Sequence, residues 1–506
     1  MTARTDRTSR WILFTIVTVG IAVRLTVYLH NRSLWMDEAL LAVNVVERSF
    51  AGLLSRLDCA QVAPPLFLVV SKLIYVLWGR LECSLRLLPL LSSCLSLYLM
   101  GRVLLQTTSR FFALCVLSML AIGPAHIEWA TSFKQYAADE LSTVLVLMGA
   151  IAWERLSKWT RFAVAAALPW LVWLSYTSAF VLSGLVIVAG ISALKDDFRP
   201  KRVALAVLLC SMLIACCSVY EATVQDSLGY EDMMAFWAAC FPQSPYSEWL
   251  TNNLVNVVAS ATGLTAAPLL AFVLCVWGAC ALGRSGHSTL QKNTVQKNTV
   301  NVLAGGTLAS ALVAAWLKLY PFLAGRLTIY LAPAALLFLA SGLDAACRSL
   351  KPRLLSRSVK ALAAVLVIVV LYGLIDDYPR LIVRQEMRQV LEKVKGGVDT
   401  EAPFFVSVYA SPAFLLYAGP ELQKNTVWLQ NLGLDSRQLV WAWLLAGKPI
   451  RFWVVVSQGD FEFVGATFSD IEPFCAVKRA IIGGESAACL LEVRPEFAWA
   501  TRGGKK

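Results

Sequence analysis

Long apolar runs alternate with short polar connections over the first three-quarters of the chain, and then the pattern changes. The runs at 11–29, 85–105, 111–126, 138–153, 162–175, 177–194, 203–220, 259–282, 300–317, 327–346 and 361–375 predict about eleven transmembrane helices. Another run, Ala63 to Trp78, follows Pro64-Pro65 and reads as a helix lying along the outer surface. Beyond Asp376 charged residues return. Phe404–Tyr409, Phe452–Ser457 and Ala488–Val493 have the look of strands, and Ile382–Val394 and Asp435–Leu445 that of helices. The expected organisation is a polytopic α-helical membrane domain, 1–375, with a first external loop at 30–84. A small extracytoplasmic α/β domain, 376–506, follows it. Within the loop, Ala39–Leu57 reads as an amphipathic helix.

Composition agrees. The chain has 506 residues, 58% hydrophobic and 15% charged, with a mean hydropathy of +0.63, which no soluble domain of this size needs. The net charge of +12 comes mainly from Lys and Arg in short loops, so it speaks to topology and not to a nucleic-acid partner. Arg4, Arg7 and Arg10 put the amino terminus in the cytoplasm, and 11–29 reads as a retained anchor. If 63–78 crossed the membrane, every later basic loop would lie outside. If it does not cross, Arg102–Arg110, Glu154–Arg161, Lys195–Arg202, Arg284–Lys297 and Cys347–Lys360 all fall inside, as the positive-inside rule requires. Most of the 13 cysteines sit in apolar runs as small packing residues, and none has zinc-ligand spacing. Cys475 and Cys489 are left as a conceivable pair. The pentapeptide Gln-Lys-Asn-Thr-Val, at 291–295, 296–300 and 423–427, reads as a polar linker without chemistry.

Polar residues with chemical potential gather on the outer side. Asp37 and Glu38 follow the first span directly, where an acidic pair is expensive unless it meets water, a cation or a proton-bearing substrate. Gln61 precedes Pro64-Pro65. The second external connection carries His126, Lys134, Tyr136 and Asp139, and a helix starting near Ser132 would set Gln135 and Asp139 four residues apart on one face. A late connection adds Lys318, Tyr320 and Arg326. Each has a plainer reading: a solvated acidic turn, snorkelling cations, a satisfied histidine, belt tyrosines. Together, two carboxylates and three cations at one membrane face suit an anionic lipid headgroup meeting a neutral nucleophile.

Several of these stretches resemble a known family. Trp35-Met36-Asp37-Glu38, then Gln61-Val62-Ala63-Pro64-Pro65-Leu66-Phe67-Leu68, then Gly79-Arg80-Leu81-Glu82 with Leu85-Arg86-Leu87-Leu88-Pro89 resemble the opening of bacterial GT-C glycosyltransferases. Those are the relatives of protein O-mannosyltransferases and the lipid A aminoarabinose transferase. Phe133 to Asp139 resembles their Lys/Arg-x-Tyr-x-x-Asp element, except that Gln135 stands where a proline often follows the basic residue. Tyr320-Pro321-Phe322 with Arg326 resembles their Tyr-Pro-Phe-x-x-Arg element. Ser411-Pro412-Ala413-Phe414 and Arg451-Phe452-Trp453-Val454 are similar to the tail domain of that branch.

The resemblance implies transfer of a sugar from a polyprenyl-phosphate donor to a glycan, lipid or protein acceptor, usually with inversion. The location it implies is the extracytoplasmic face of the bacterial inner membrane. Asp37 matches the family's essential acid and would serve the acceptor hydroxyl as base, with Glu38 positioning it. Lys134 and Arg326, with Lys318, would bind the donor phosphate. Gln61, His126, Tyr136, Asp139 and Tyr320 would line the substrate. Retention would need two carboxyl groups ~5 Å apart across the bond, which adjacent residues do not flank. No residue is assigned to a metal, although acids near phosphate can hold Mg²⁺ or Mn²⁺ through oxygen. The rival readings are a transporter, which would show repeated spans and mid-membrane charge, and a non-catalytic envelope scaffold, which would not need the loop acids.

Overall fold

The computed structural model describes residues 2–195, 199–224, 235, 237–284, 291–349, 353–397, 399–407, 409–428, 450–457 and 475–494. Two compact units emerge. The first comprises residues 1–29 and 49–378, the second residues 30–48 and 379–506. The segment carrying Asp37 and Glu38 thus folds with the carboxy-terminal part of the chain.

The first unit is helical. Among the described residues, seven helices are long and apolar enough to cross a membrane: Trp11–Leu29, Leu81–Thr107, Tyr136–Arg155, Arg199–Thr223, Asn298–Trp316, Arg326–Ser349 and Leu355–Ile382. Arg110–Ile122 and Pro124–Ala130, bent by 52° at their junction, make an eighth if counted as one span. The chain is an integral membrane protein. The remaining expected spans are shorter or divided. Ser178–Leu194 is an apolar helix, while 162–175 divides between the Lys158–Ala167 helix and the 3-10 stretch Leu168–Trp173. The expected 259–282 span is cut in two: Tyr246–Thr262 stops at Gly263, whose φ of +74° gives a left-handed cap, and Pro268–Arg284 starts anew. The run after Pro64 forms the helix Pro65–Trp78, with proline at its first position and Gly79 closing it.

The bend at Gly123 has a chemical cost that a distant residue meets. Leu120 should pass its carbonyl to the N–H four residues on, but that residue is Pro124, which has none. Arg24, wholly buried in the first helix, donates from Nη2 to Leu120 O at 3.1 Å and from Nη1 to Ala121 O at 2.8 Å. Its Nε reaches Ser93 Oγ at 2.9 Å. An arginine in a first span reads as a defect in hydropathy; here it ends a broken helix where water could not.

Elsewhere small residues set the spacing. A Cβ on Gly278 would collide with the Phe338 carbonyl, and one on Gly342 with the Leu274 carbonyl. The Pro268–Arg284 and Ala332–Ser349 helices therefore cross in backbone contact.

The second unit holds a five-stranded mixed sheet in the order β2-β1-β3-β5-β4. Its strands are β1 (Phe404–Val406), β2 (Thr426–Trp428), β3 (Arg451–Ser457), β4 (Cys475–Gly483) and β5 (Ser486–Val493). β1 runs parallel to β2 and β3, whereas β3–β5 and β5–β4 are antiparallel. Six successive residues of β3, Phe452 to Ser457, are buried, as suits a central strand covered on both faces. The three expected strands are present, the first ending at Val406, three residues early. The expected helix at 382–394 occurs as Met387–Lys395 and packs on β4 and β5. That at 435–445 lies outside the described residues. In the loop, the helix expected over 39–57 runs from Met36 to Glu47 and is followed by a 3-10 turn, Gly52–Leu54.

Cys475 and Cys489 do not pair. Across β4–β5, Cys475 stands opposite Val493 and Cys489 opposite Ala480, so five residues of strand, roughly 16 Å, separate the two positions. A disulfide needs Cα atoms within ~7 Å. The third Gln-Lys-Asn-Thr-Val copy ends the Gly419–Lys424 helix and enters β2, while the first two copies lie in the helix Gln291–Trp316. One pentapeptide in two conformations confirms that tertiary context, not local preference, decides its structure.

Candidate functional site

Asp37 and Glu38 open the Met36–Glu47 helix, at its second and third positions, where the helix dipole favours negative charge. Glu38 is fully buried, and its Oε2 accepts from the Trp35 backbone N–H at 3.3 Å, the acidic half of a capping box. Its carboxylate is thereby committed to the turn. Asp37, beside it, is half-buried. Residues of the tail surround this turn, and nothing in the sequence pattern pointed to them. Gln385, Glu386 and Tyr417 accept hydrogen bonds from residues 33–36, and the Arg384 guanidinium lies 3.7 Å from the centre of the Trp35 ring.

The other expected site residues belong to the first unit. Lys134, largely buried, donates from Nζ to Gln61 Oε1 at 2.9 Å. Gln61 is aimed by its own turn: its Nε2 donates to Cys59 O at 3.2 Å, and its N–H to Asp58 O at 3.3 Å. Between them Cys59 and Ala60 have φ of 58° and 50°. For residues with a Cβ this left-handed backbone costs about 1–2 kcal/mol each, so the aim of Gln61 is maintained against local preference.

The helix after Lys134 starts at Tyr136 and not near Ser132, because Ser132–Gln135 form turns in which Lys134 N–H bonds Ser132 O. Gln135 is its cap residue, with the Asp139 N–H bonded to Gln135 O at 2.9 Å. Asp139 is buried. Ser175 and Thr177 approach its carboxylate, yet Oδ1 meets no hydrogen-bond donor, and neither does the buried Gln135 Oε1. Tyr136 packs edge-on against Trp129 at 5.0 Å between ring centres.

His126 is turned inward. Its Nδ1 lies 3.1 Å from Glu140 Oε2 and its Nε2 3.3 Å from the Ala261 carbonyl, so both ring nitrogens are engaged by protein. Glu140 also faces the Ser96 hydroxyl at 3.4 Å. This buried network ties four helices together, and its members are spaced too widely in sequence for periodicity to reveal it.

The late connection supplies Lys318, Tyr320 and Arg326. Lys318 sits at a left-handed turn with φ of 57° and is exposed. Tyr320 donates to Leu327 O at 3.1 Å and packs edge-on against Phe180. Burial, then the nearby Asp139 carboxylate, push its phenol well above the ordinary value, so it remains a neutral donor. Arg326 lies over the Trp237 ring at 5.4 Å. Among the described residues no three His, Cys, Asp or Glu side chains gather as a metal site would require.

No family model matches the sequence, and no curated protein does. Comparison with solved structures gives a match along nearly the whole chain. ArnT of Cupriavidus metallidurans superposes in its apo state with a TM-score of 0.53, covering 94% of this chain and 97% of ArnT at 14% identity. The structure of the same protein bound to undecaprenyl phosphate gives a TM-score of 0.51 over the same shares, also at 14% identity. The likeness is one of fold: the polytopic helical architecture with a small carboxy-terminal sheet domain expected from the sequence is the one the chain has, and it is ArnT-like.

Proposed function

We propose that this protein is a polyprenyl-phosphate-dependent membrane glycosyltransferase. In this reading it moves a sugar from a lipid-linked phosphate to a hydroxyl acceptor on the outer face of the bacterial inner membrane, with inversion. The observation that carries the reading is the end-to-end likeness to ArnT, one structure of which holds undecaprenyl phosphate. Support comes from the buried polar atoms of the first unit. Lys134 is a largely buried cation, and Asp139 Oδ1 and Gln135 Oε1 are buried acceptors lacking a protein donor, as sites for water or ligand hydroxyls are.

The acceptor oxygen attacks the anomeric carbon as the bond from that carbon to the phosphate oxygen breaks. The bonding pair leaves with the phosphate, and the acceptor's proton passes to the Asp37 carboxylate. Lys134, Arg326 and Lys318 stabilise the phosphate as its charge grows. Asp139, Tyr136 and Tyr320 hold sugar hydroxyls. His126, with both nitrogens engaged, shapes the wall and binds nothing.

The test uses full-length protein in lipid nanodiscs. Labelled undecaprenyl-phosphate mannose, glucose, galactose and aminoarabinose are offered with envelope glycolipids and periplasmic protein as acceptors. Protein-dependent transfer from at least one donor, with release of undecaprenyl phosphate, is expected. Failure to turn over any lipid-linked sugar would reject the reading.

A further inference from the structure

The turn that carries Asp37 is held by side chains outside itself. From Ser33 to Met36, four successive backbone N–H groups each meet a side-chain oxygen. Ser33 N–H faces Glu386 Oε2 at 3.5 Å, and the Ser33 hydroxyl donates to the same oxygen at 3.0 Å. Leu34 N–H donates to the Tyr417 hydroxyl at 2.9 Å, Trp35 N–H to Glu38 Oε2 at 3.3 Å, and Met36 N–H to Gln385 Oε1 at 2.7 Å. Three of the four acceptors come from the tail, more than 340 residues away along the chain.

Local chemistry explains why outside help is needed. A helix leaves its first N–H groups without partners, and an N-cap side chain normally accepts from them. The N-cap here is Trp35, whose indole only donates. Without acceptors, the buried Leu34 and the half-buried Met36 would carry unmet N–H groups, and the first turn would fray or move. Gln385 and Glu386 are themselves buried, with 1% and 3% of their surface exposed, so their oxygens are fixed acceptors and not mobile surface groups. Asp37 is the residue directly after Met36, so the direction of its carboxylate is set by the turn these oxygens hold.

We infer that Gln385 and Tyr417 are positioning residues for Asp37, and that the tail domain therefore belongs to the catalytic apparatus as the missing cap of the acid-bearing helix. This rests on the assignment of Asp37 as base. Neither residue touches substrate in this role. Each acts through the backbone of residues 34–36, and misplacement of a base by ~1 Å can lower turnover on the order of 100-fold.

Gln385→Met and Tyr417→Phe remove one acceptor each with little change of volume, and the pair is combined as a third variant. Full-length proteins in nanodiscs are compared in turnover of the donor that wild type accepts, in binding of undecaprenyl phosphate, and in amide hydrogen exchange over 33–38. Each single variant should lower kcat by ~10-fold or more, and the double further, with KM for donor and binding of undecaprenyl phosphate within twofold of wild type. Exchange at 33–38 should accelerate while β3 stays protected. Wild-type kcat in both single variants would overturn the inference, as would loss of lipid binding in parallel with kcat. Wild-type protein without any transferase activity would instead reject the functional reading. The exchange experiment would then still decide the cap: unchanged protection at 33–38 overturns it.

Discussion

Lys134 Nζ and Gln61 Oε1 lie 2.9 Å apart, bringing the only cation of the Phe133–Asp139 element onto the turn that precedes Pro64-Pro65. Two of the stretches that carry the family resemblance thus meet through a hydrogen bond. A buried ammonium satisfied in part by a neutral carboxamide can exchange that partner for a phosphate oxygen, which gains charge as well as geometry.

Lys134→Ala should therefore weaken binding of undecaprenyl phosphate on the order of 10- to 100-fold, the range of a lost hydrogen bond to a charged group. Gln61→Ala should change it by less than about fivefold. Titration of nanodisc-embedded protein with the lipid phosphate checks both, and unaltered affinity in Lys134→Ala would remove this lysine from the donor site.

Arg24 supports a different expectation. Its guanidinium satisfies two carbonyls at a helix break where proline has removed the normal donor, so Arg24→Leu should destabilise the protein by about 2–5 kcal/mol. Arg24→Lys should recover only part of this, since one ammonium cannot span the same forked set of acceptors. Unfolding in mixed micelles reads the difference; stability equal to wild type in Arg24→Leu would show that the carbonyls find other donors.

In the tail sheet, Lys478 Nζ lies 2.9 Å and Arg451 Nε 3.6 Å from Glu492 Oε2. The close Lys478 ammonium leads in holding the Glu492 carboxyl below its ordinary value, with the Arg451 charge adding to it. A carboxyl with a depressed folded pKa contributes stability above its unfolded pKa and loses it as pH falls through the folded one. Protection of β5 amides should accordingly decline slightly as pH drops from about 5 toward 3, beyond the intrinsic exchange trend, and Glu492→Gln should flatten this difference. An identical pH dependence in both proteins would contradict the pairing.

Much of the fold was legible because hydrophobic period and run length depend on local sequence. The long spans, the helix after Pro64-Pro65 and the three strands all announce themselves this way. The misplaced features depend on single residues acting at a distance or on backbone conformation. Gly263 divides what reads as one apolar run, and the Ser132–Gln135 turns delay a helix that the pattern would start earlier. Cys475 and Cys489, which an extracytoplasmic domain would allow to pair, are separated by strand register.

The candidate residues divide along the same line. The motifs pointed to Asp37, Lys134 and Gln61 as chemical groups. Gln385, Glu386 and Tyr417 carry no local signal, since a helix N-terminus lacking its own cap says only that an acceptor is needed, not where it comes from. Trp35 at the N-cap was the available clue: a donor-only side chain in a position that calls for an acceptor. His126 stood out as a rare histidine near the proposed site, and its partners Glu140 and Ala261 are visible only once the helices are assembled.

The most direct test of the central claim is the rate at which Asp37→Asn protein transfers sugar from the undecaprenyl-phosphate donor that wild type uses, measured beside its affinity for undecaprenyl phosphate. Asparagine keeps the shape and loses the basic oxygen, so the account predicts transfer reduced by about 100-fold or more with lipid affinity preserved. Transfer by Asp37→Asn at the wild-type rate would contradict it.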